Sequence, residues 1–261
     1  MDKIKIATFN VNSIRSRTHI VIPWIEENKP EIMCMQETKV ANDKFPVENF
    51  EEIGYNIIFN GSKTGRNGVA IASKEKPIEY SFGLHNEPKD EDRLIMAEFP
   101  NFKIINTYVP QGFKIDNEKY QYKLKWLFRL KEYFDNKISM NNDVLWCGDI
   151  NVAPEDIDIH NPKNQKNHVC FHKDVKNAYE KIKSLGFIDI FRKYHPREPG
   201  QYTFFDYRVR DSVKQKLGWR VDHMLASKSM AKKSKYCNID IEPRLKEKPS
   251  DHTVLVAEFQ K

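Results

Sequence analysis

Along the chain, short apolar runs of strand length alternate with polar breaks, and only a few stretches carry helical spacing. Lys3 to Asn12 alternates as a half-buried strand, and Ile32 to Met35 reads as a fully buried one. Asn56 to Asn60, Gly68 to Ser73, Arg93 to Phe99 and Phe102 to Tyr108 read as further strands. So do Val144 to Cys147, where Gly148 is expected to end the run, Trp219 to Ala226, and Val254 to Phe259. A helical pattern passes through Ile20, Trp24 and Ile25 and is closed by Pro30. The clearest helix spans Glu118 to Asn136, with Tyr122, Leu124, Trp126, Leu127, Leu130 and Phe134 assigned to the core. A shorter one, Ala178 to Leu185, is stopped by Gly186. Between Asn151 and His172 the chain reads as irregular.

The pattern matters most where the strands stop. Asn10 and Asn12 close the first strand, and Glu37 follows the second. Tyr108 closes a later one, and Asp149 and Asn151 follow Cys147 two residues apart, so that a strand period turns them the same way. Asp222 sits on the Trp219 strand, and Asp251 and His252 stand side by side before the last. Polar groups at one strand end are ordinary exits to solvent, and Asp and Asn are ordinary turn residues. Tyr108 alone reads equally as a half-buried core tyrosine. Several strands ending this way suggest side chains that converge on one rim.

Composition changes this picture little. The chain has 261 residues, a length that single α/β or all-β domains reach, and 43 basic residues against 37 acidic give +6. That excess suits a polyanionic partner and equally a lysine-rich solvated surface. Cys34, Cys147, Cys170 and Cys237 lack metal-like spacing and read as free thiols of a reducing compartment. The amino terminus lacks a signal-peptide run, and no stretch is apolar for long enough to span a membrane, so the expected location is cytoplasmic. No repeat or linker divides the sequence, and residues 1–261 are expected to form one domain.

The chemistry that these residue types allow is narrow. Glu37 and Asp251 offer hard oxygen ligands suited to Mg²⁺ or Mn²⁺. His252 with Asp222 makes an imidazole whose tautomer a carboxylate can fix. There is no glycine-rich phosphate loop after the first strand and no G-x-S-x-G elbow. His168, Cys170 and His172 alternate, but three candidate ligands without a fourth make a polar loop the better reading than a zinc site. Lys63, Arg66, Asn67 and Gly68 form either a phosphate-gripping loop or a plain hairpin turn. An acid, a base, a divalent cation and a basic rim together point to metal-assisted phosphodiester hydrolysis.

Eight motifs in order then carry a resemblance: A-T-F-N-V-N-S-I-R-S-R (Ala7 to Arg17), M-Q-E-T-K (Met35 to Lys39), G-R-N-G-V-A-I (Gly65 to Ile71), N-T-Y-V-P-Q-G (Asn106 to Gly112), G-D-I-N (Gly148 to Asn151), Y-T-F-F-D-Y-R (Tyr202 to Arg208), G-W-R-V-D (Gly218 to Asp222) and K-P-S-D-H (Lys248 to His252). The sequence resembles the exonuclease III family of abasic-site endonucleases of base excision repair, over essentially its whole length. The resemblance implies a four-layered α/β sandwich, two packed mixed β-sheets flanked by helices. It implies Glu37, Asn12 and Asp251 as Mg²⁺ ligands, although many relatives carry Asp at the position of Asn12. It gives Asp149 the attacking water, Asn10 the orientation of Asp149, and Asn151, Tyr108 and His252 with Asp222 the scissile phosphate.

By the same resemblance Phe204, Trp219 and Val221 wall an apolar pocket for a sugar without its base. Gln111, Gly112, Phe113 and Lys114 form the loop that enters the duplex, Phe113 as the wedge. Arg15, Arg17, Lys63, Arg66, Asn67 and Arg208 hold the backbone. The expected reaction is Mg²⁺-dependent cleavage 5′ of an abasic site in double-stranded DNA, leaving a 3′-hydroxyl, with 3′→5′ exonuclease and 3′-end-cleaning activity, by a monomer. Two alternatives stand beside it. One is another phosphoesterase of the same superfamily, such as a phosphoinositide phosphatase or sphingomyelinase. The other is a non-catalytic DNA-binding module, which should have lost one of Glu37, Asp149, Asp222 or His252; none is missing.

Overall fold

A computed structural model describes residues 3–261, in which two six-stranded mixed sheets pack face to face. The first holds β1 (Lys3–Asn10), β2 (Ile32–Gln36), β3 (Asn56–Asn60) and β4 (Val69–Ser73), with β11 (Ser234–Asp240) and β12 (Val254–Gln260), in the order β11-β12-β1-β2-β4-β3. The second holds β5 (Glu79–Phe82), β6 (Leu94–Phe99), β7 (Phe102–Tyr108), β8 (Val144–Asp149), β9 (Ile188–Asp189) and β10 (Asp222–Ala226), in the order β5-β6-β7-β8-β10-β9. Helices α1 (Ile14–Asn28) and α2 (Val47–Glu51) cover the outer face of the first sheet through Val21, Trp24, Ile25 and Phe50. Helices α3 (Glu118–Lys137) and α4 (Lys173–Lys183) cover the second through Trp126, Leu130, Phe134, Val175 and Tyr179. Short helices α5 (Ile190–Tyr194), α6 (Lys228–Lys233) and α7 (Glu242–Leu245) complete the chain. This is the four-layered arrangement that the resemblance implied. Among the described residues, no helix is long and apolar enough to cross a membrane.

The period of two explains how the fold makes a site. Ile4 and Ile6 of β1, Ile32 and Cys34 of β2, Ile104 of β7, Leu145 and Cys147 of β8, and Met224 and Ala226 of β10 fill the space between the sheets. Their neighbours Ala7, Phe9, Met33, Ile105, Trp146 and Leu225 face the helices instead. Continuing each inner row brings Asn10, Tyr108, Asp149 and Asp222 to one end of the sandwich, where Asp222 lies opposite Asp149 in the ladder and Tyr108 beside it. A polar layer separates that end from the apolar core. Gln36 Nε2 donates to Thr8 Oγ1 at 2.9 Å and to Asn106 Oδ1 at 2.7 Å, and Asn106 Nδ2 donates to the Met35 and Ala70 carbonyls, both at 3.0 Å. The buried amides are thus largely partnered, as buried polar groups must be.

Several boundaries differ from the sequence pattern. Gly148 does not end β8, which continues to Asp149. Its φ is +128°, and a Cβ there would sit 2.1 Å from the Thr107 carbonyl oxygen, so glycine lets β8 approach β7 closely without breaking the ladder. Asn151 lies beyond the strand with φ +53°, so it faces Asp149 across a tight turn and not through strand alternation. Asn12 likewise lies past β1. Strand β10 begins at Asp222, while Trp219 makes isolated bridges to Ile159 and Phe204. On α3, Tyr122 and Leu124 are only half-buried and Lys123 is fully buried. The four cysteines are buried free thiols.

Candidate active site

The open end of the sandwich carries a cavity of about 450 Å³ lined by Glu37, Tyr108, Gln111, Asp149, Asn151, Phe204, Arg208, Trp219, Val221, Asp251 and His252, among others. Asn10 lies beneath it with no exposed surface, and its Nδ2 donates to Glu37 Oε1 at 2.7 Å and Asp149 Oδ2 at 2.8 Å. One amide therefore sets the spacing of two carboxylates from opposite sheets. Asp149 Oδ1 accepts from the Asn151 backbone N–H at 3.0 Å, and Oδ2 accepts from Asn151 Nδ2 at 3.2 Å. His252 Nδ1 donates to Asp222 Oδ2 at 2.7 Å, which leaves Nε2 facing Asp149 Oδ2 at 3.8 Å. Ser250 Oγ donates to the Asn10 carbonyl at 2.7 Å and pins the segment that carries Asp251 and His252 against β1.

Proton affinities follow from burial and neighbours. Burial and the Asp222 and Glu37 carboxylates push Asp149 up to about 8, against the opposing pull of His252. Burial alone would lower the His252 imidazole, but the Asp222 and Asp149 carboxylates overcome it and raise His252 to about 10. Burial also opposes ionisation of Glu37, yet the Lys39 ammonium and the Asn10 amide hold its carboxyl below the usual range. Tyr108 is pushed well up by burial and by Glu37. It is thus a neutral O–H donor.

The donor set fits a hard cation. Carboxylate oxygens of Glu37 and Asp149 lie within 4.8 Å of each other and of the His252 imidazole, whose charged ring has no lone pair for an ion. Lys39 Nζ touches Glu37 Oε2 at 2.6 Å and donates to Asn12 Oδ1 at 2.6 Å, while Asn12 Nδ2 donates to Asp251 Oδ1 at 2.9 Å. Oxygens of Glu37 and Asn12 already converge on one positive charge, as the ligands of an oxygen-loving divalent ion do.

The sequence model of the endonuclease/exonuclease/phosphatase family matches residues 7–252. The chain belongs to that family. Within it, the chain is similar to the exodeoxyribonuclease III of Haemophilus influenzae, at 34% identity over 98% of this chain and all of the relative. An AP endonuclease structure from Archaeoglobus fulgidus superposes with a TM-score of 0.97 at 60% identity, covering 99% of this chain and all of the other. A 3′ phosphatase from Neisseria, bound to a product DNA hairpin, superposes with a TM-score of 0.93 at 35% identity, covering 99% of this chain and all of the other. This endonuclease/exonuclease/phosphatase family member is accordingly a nuclease of the exodeoxyribonuclease III and AP endonuclease type.

Not every residue singled out in the sequence lies in the cavity. Asn12 and Asp222 stand just behind it, each bonded to a lining residue. Arg15, Lys63, Arg66, Phe113 and Lys114 are exposed on the surface outside it. Arg17 is a brace, donating to the Asn12 carbonyl at 2.6 Å, the Pro249 carbonyl at 3.1 Å and the Tyr207 hydroxyl at 3.2 Å. Asn67 is held between Asp92 and Arg93. Arg208 is paired with Asp206.

Other groups had no such signal. His168, read as part of a polar loop, lies with its ring 4.3 Å from that of Trp219 and is kept neutral, its affinity lowered to about 4 by burial and by Lys123. Arg93 lies 4.8 Å over the Tyr108 ring. Lys123 Nζ donates to the carbonyls of Asn151 at 2.6 Å, Val169 at 2.8 Å and Gln111 at 3.2 Å, joining three loops around the cavity. A lysine within an otherwise amphipathic helix looks solvated, and only the packing of those loops buries it. Beneath Trp219 and Val221, Arg220 is buried between Asp158 (2.7 Å) and Asp189 (2.9 Å), and Arg192 also pairs with Asp158.

Proposed function

We propose that this nuclease hydrolyses the phosphodiester 5′ of an abasic site in double-stranded DNA, leaving a 3′-hydroxyl, and that it also trims and cleans blocked 3′ ends. The observation that carries the reading is the convergence of Asp149, His252, Asn151 and Tyr108 in a single cavity walled by Phe204, Trp219 and Val221. Such walls suit a sugar lacking its base, which is also cheap to extrude because little stacking is lost. Similarity to the Archaeoglobus AP endonuclease and the Neisseria 3′ phosphatase supports the same choice.

Asp149 would receive the proton of the attacking water. Burial and the neighbouring carboxylates raise its proton affinity, the direction that a base taking a proton from water requires. Asn10 and the Asn151 backbone N–H fix its two oxygens. The His252 Nε2–H and the Tyr108 O–H would donate to the phosphate oxygens as charge builds on them, with Asn151 beside them, its amide donating to Asp149 and the Val109 carbonyl. Asp222 keeps the His252 proton in place. As the water oxygen bonds to phosphorus, the bond from phosphorus to the 3′ oxygen breaks, and that oxygen takes a proton from solvent to leave as the hydroxyl, while Asp149 returns the proton it took to solvent. Glu37, Asn12 and Asp251 would hold Mg²⁺, with Mn²⁺ as a substitute, and when bound it supplies Lewis-acid stabilisation of the phosphate.

Arg15, Lys63, Arg66 and Arg208 would hold the backbone, with Asn67 positioning the loop of Lys63 and Arg66. Gln111, Gly112 and Lys114 would present Phe113, which is 59% exposed and free to enter the stack. We assign the chain one domain, a monomeric state and the cytoplasm, the last on its free thiols. The test is an end-labelled duplex with one central abasic site, incubated with and without Mg²⁺. One fragment ending in a 3′-hydroxyl just 5′ of the lesion is expected. An intact duplex together with release of phosphate from a phosphoinositide would instead identify another phosphoesterase of the superfamily.

A further inference from the structure

Next to the catalytic cavity is a second, wider concavity of about 610 Å³, lined by Lys163, Lys166, Lys173, Lys176, His172, Phe171, Asn167, Pro162 and Asp156. The two share a wall. His160, Gln165, His168 and Cys170 of one loop face the catalytic cavity, while Pro162, Lys163, Lys166, Asn167 and Phe171 of the same loop face the other. Between residues 162 and 176 there are four lysines and one acidic residue, Asp174, a surplus of three in a chain whose whole surplus is +6. Half of the excess positive charge is thus concentrated on one rim of the active site.

These lysines are also available. Among the described residues, Lys163, Lys166 and Lys173 are exposed and form no ion pair. Lys176 is held as a floor, its ammonium 4.0 Å over the Phe171 ring and 4.0 Å from Asp156. The face is rigidly tied to the cleft. His172 Nδ1 and the Tyr120 hydroxyl are hydrogen-bonded at 2.9 Å, joining the start of α4 to the start of α3. Gly112 packs so closely on Tyr120 and Val169 that a Cβ there would lie 3.3 and 3.4 Å from their side chains. The wedge loop, the shared loop and the lysine face therefore form one surface.

We propose that this concavity binds the sugar–phosphate backbone of duplex DNA outboard of the lesion, with Lys163, Lys166 and Lys173 each neutralising a phosphate. The proposal rests on the DNA reading of the neighbouring cleft, and it adds a contact that fixes how much duplex on one side of the lesion the protein needs. Exposed ammoniums without partners read charge and spacing, not sequence, so the contact raises affinity for any duplex that runs across it.

The test is equilibrium binding of abasic duplexes, with chelator present to stop cutting, as a function of salt. The combined variant Lys163→Gln, Lys166→Gln, Lys173→Gln is compared with a charge-matched control, Lys3→Gln, Lys235→Gln, Lys261→Gln, at the opposite end of the sandwich. Each lost phosphate contact should reduce the slope of log affinity against log salt by about 0.9, so the first variant should lose about 2–3 and the control should match the wild type. Two asymmetric duplexes, each with one arm cut short, complete the test. The defect should vanish with one of them and persist with the other. Equal slopes for variant and control, or a defect present with both truncations, would overturn the proposal. An acidic protein segment, the other polyanion that such a face suits, would leave the DNA slope unchanged and so also overturn it. Cutting of the abasic duplex by the wild type with Mg²⁺ is measured in parallel, so a failure of the cleft's assignment is seen separately.

Discussion

Asp222 Oδ2 accepts the Nδ1–H of His252 at 2.7 Å, and the second oxygen of that buried carboxylate has no partner among the described residues. A buried carboxylate with half of its acceptors unused is a strong local source of negative potential, and its one outlet is the imidazole. This keeps His252 charged despite burial. We expect Asp222→Asn to lower the His252 midpoint from about 10, because burial is then opposed only by the Asp149 and Asp251 carboxylates. Nitrogen chemical shifts of the metal-free protein would read it directly. The raised midpoint means that the folded state binds this proton more tightly than the unfolded one. Its stabilisation is complete below 6.5 and is lost as pH rises to 10. The wild type should therefore lose more stability than Asp222→Asn across that window, and an equal loss would contradict the assignment.

Asn12 is a neutral oxygen donor on the same ammonium as Glu37. Asn12→Asp adds a negative ligand at that point, so divalent-ion affinity should rise by about tenfold, since charge count tunes such sites. Calorimetric titration of the DNA-free variant with Mn²⁺ would show it. Unchanged or weaker binding would place the ion elsewhere.

Lys123 satisfies three carbonyls with three N–H donors in a site with no exposed surface. Lys123→Met keeps the stem and removes the donors. Unpaired buried carbonyls should cost about 2–4 kcal/mol of stability. Asn151 and the Gln111 loop should then lose their registration, with single-turnover cleavage falling by about tenfold or more. Thermal melting and rapid-quench assays would separate the two effects, and Lys123→Arg should recover part of both.

Arg220 holds Asp158 and Asp189 under the apolar wall, and the paired guanidinium keeps both carboxyls below their usual range. Arg220→Met leaves two buried carboxylates short of a partner and should cost about 3–5 kcal/mol. Denaturant melts at neutral pH would measure it. The carboxylates' contribution is present above about pH 4 and lost below it, so the gap between variant and wild type should narrow in acid.

The strands were legible because each inner row repeats every second residue, and the same repeat carries Asn10, Tyr108, Asp149 and Asp222 to a common end. Strand ends therefore pointed to side chains that meet at one end of the sandwich. What the pattern hid depends on contacts between distant segments. Lys123 and Arg220 look like solvated charges until loops close over them, and His168 looks like a loop residue until Trp219 meets it. Asn151 reached its place by a turn with positive φ, which alternation does not encode. Edge strands β5 and β11 were missed because their half-exposed residues lack a clean apolar face.

Asp149→Asn tests the central claim most directly. The amide keeps the size of the side chain but removes the base, so single-turnover cleavage of an abasic duplex at saturating enzyme should fall by about 10²-fold or more. Binding of that duplex should remain. Cleavage at the wild-type rate, by a preparation proved free of wild-type enzyme, would contradict the account.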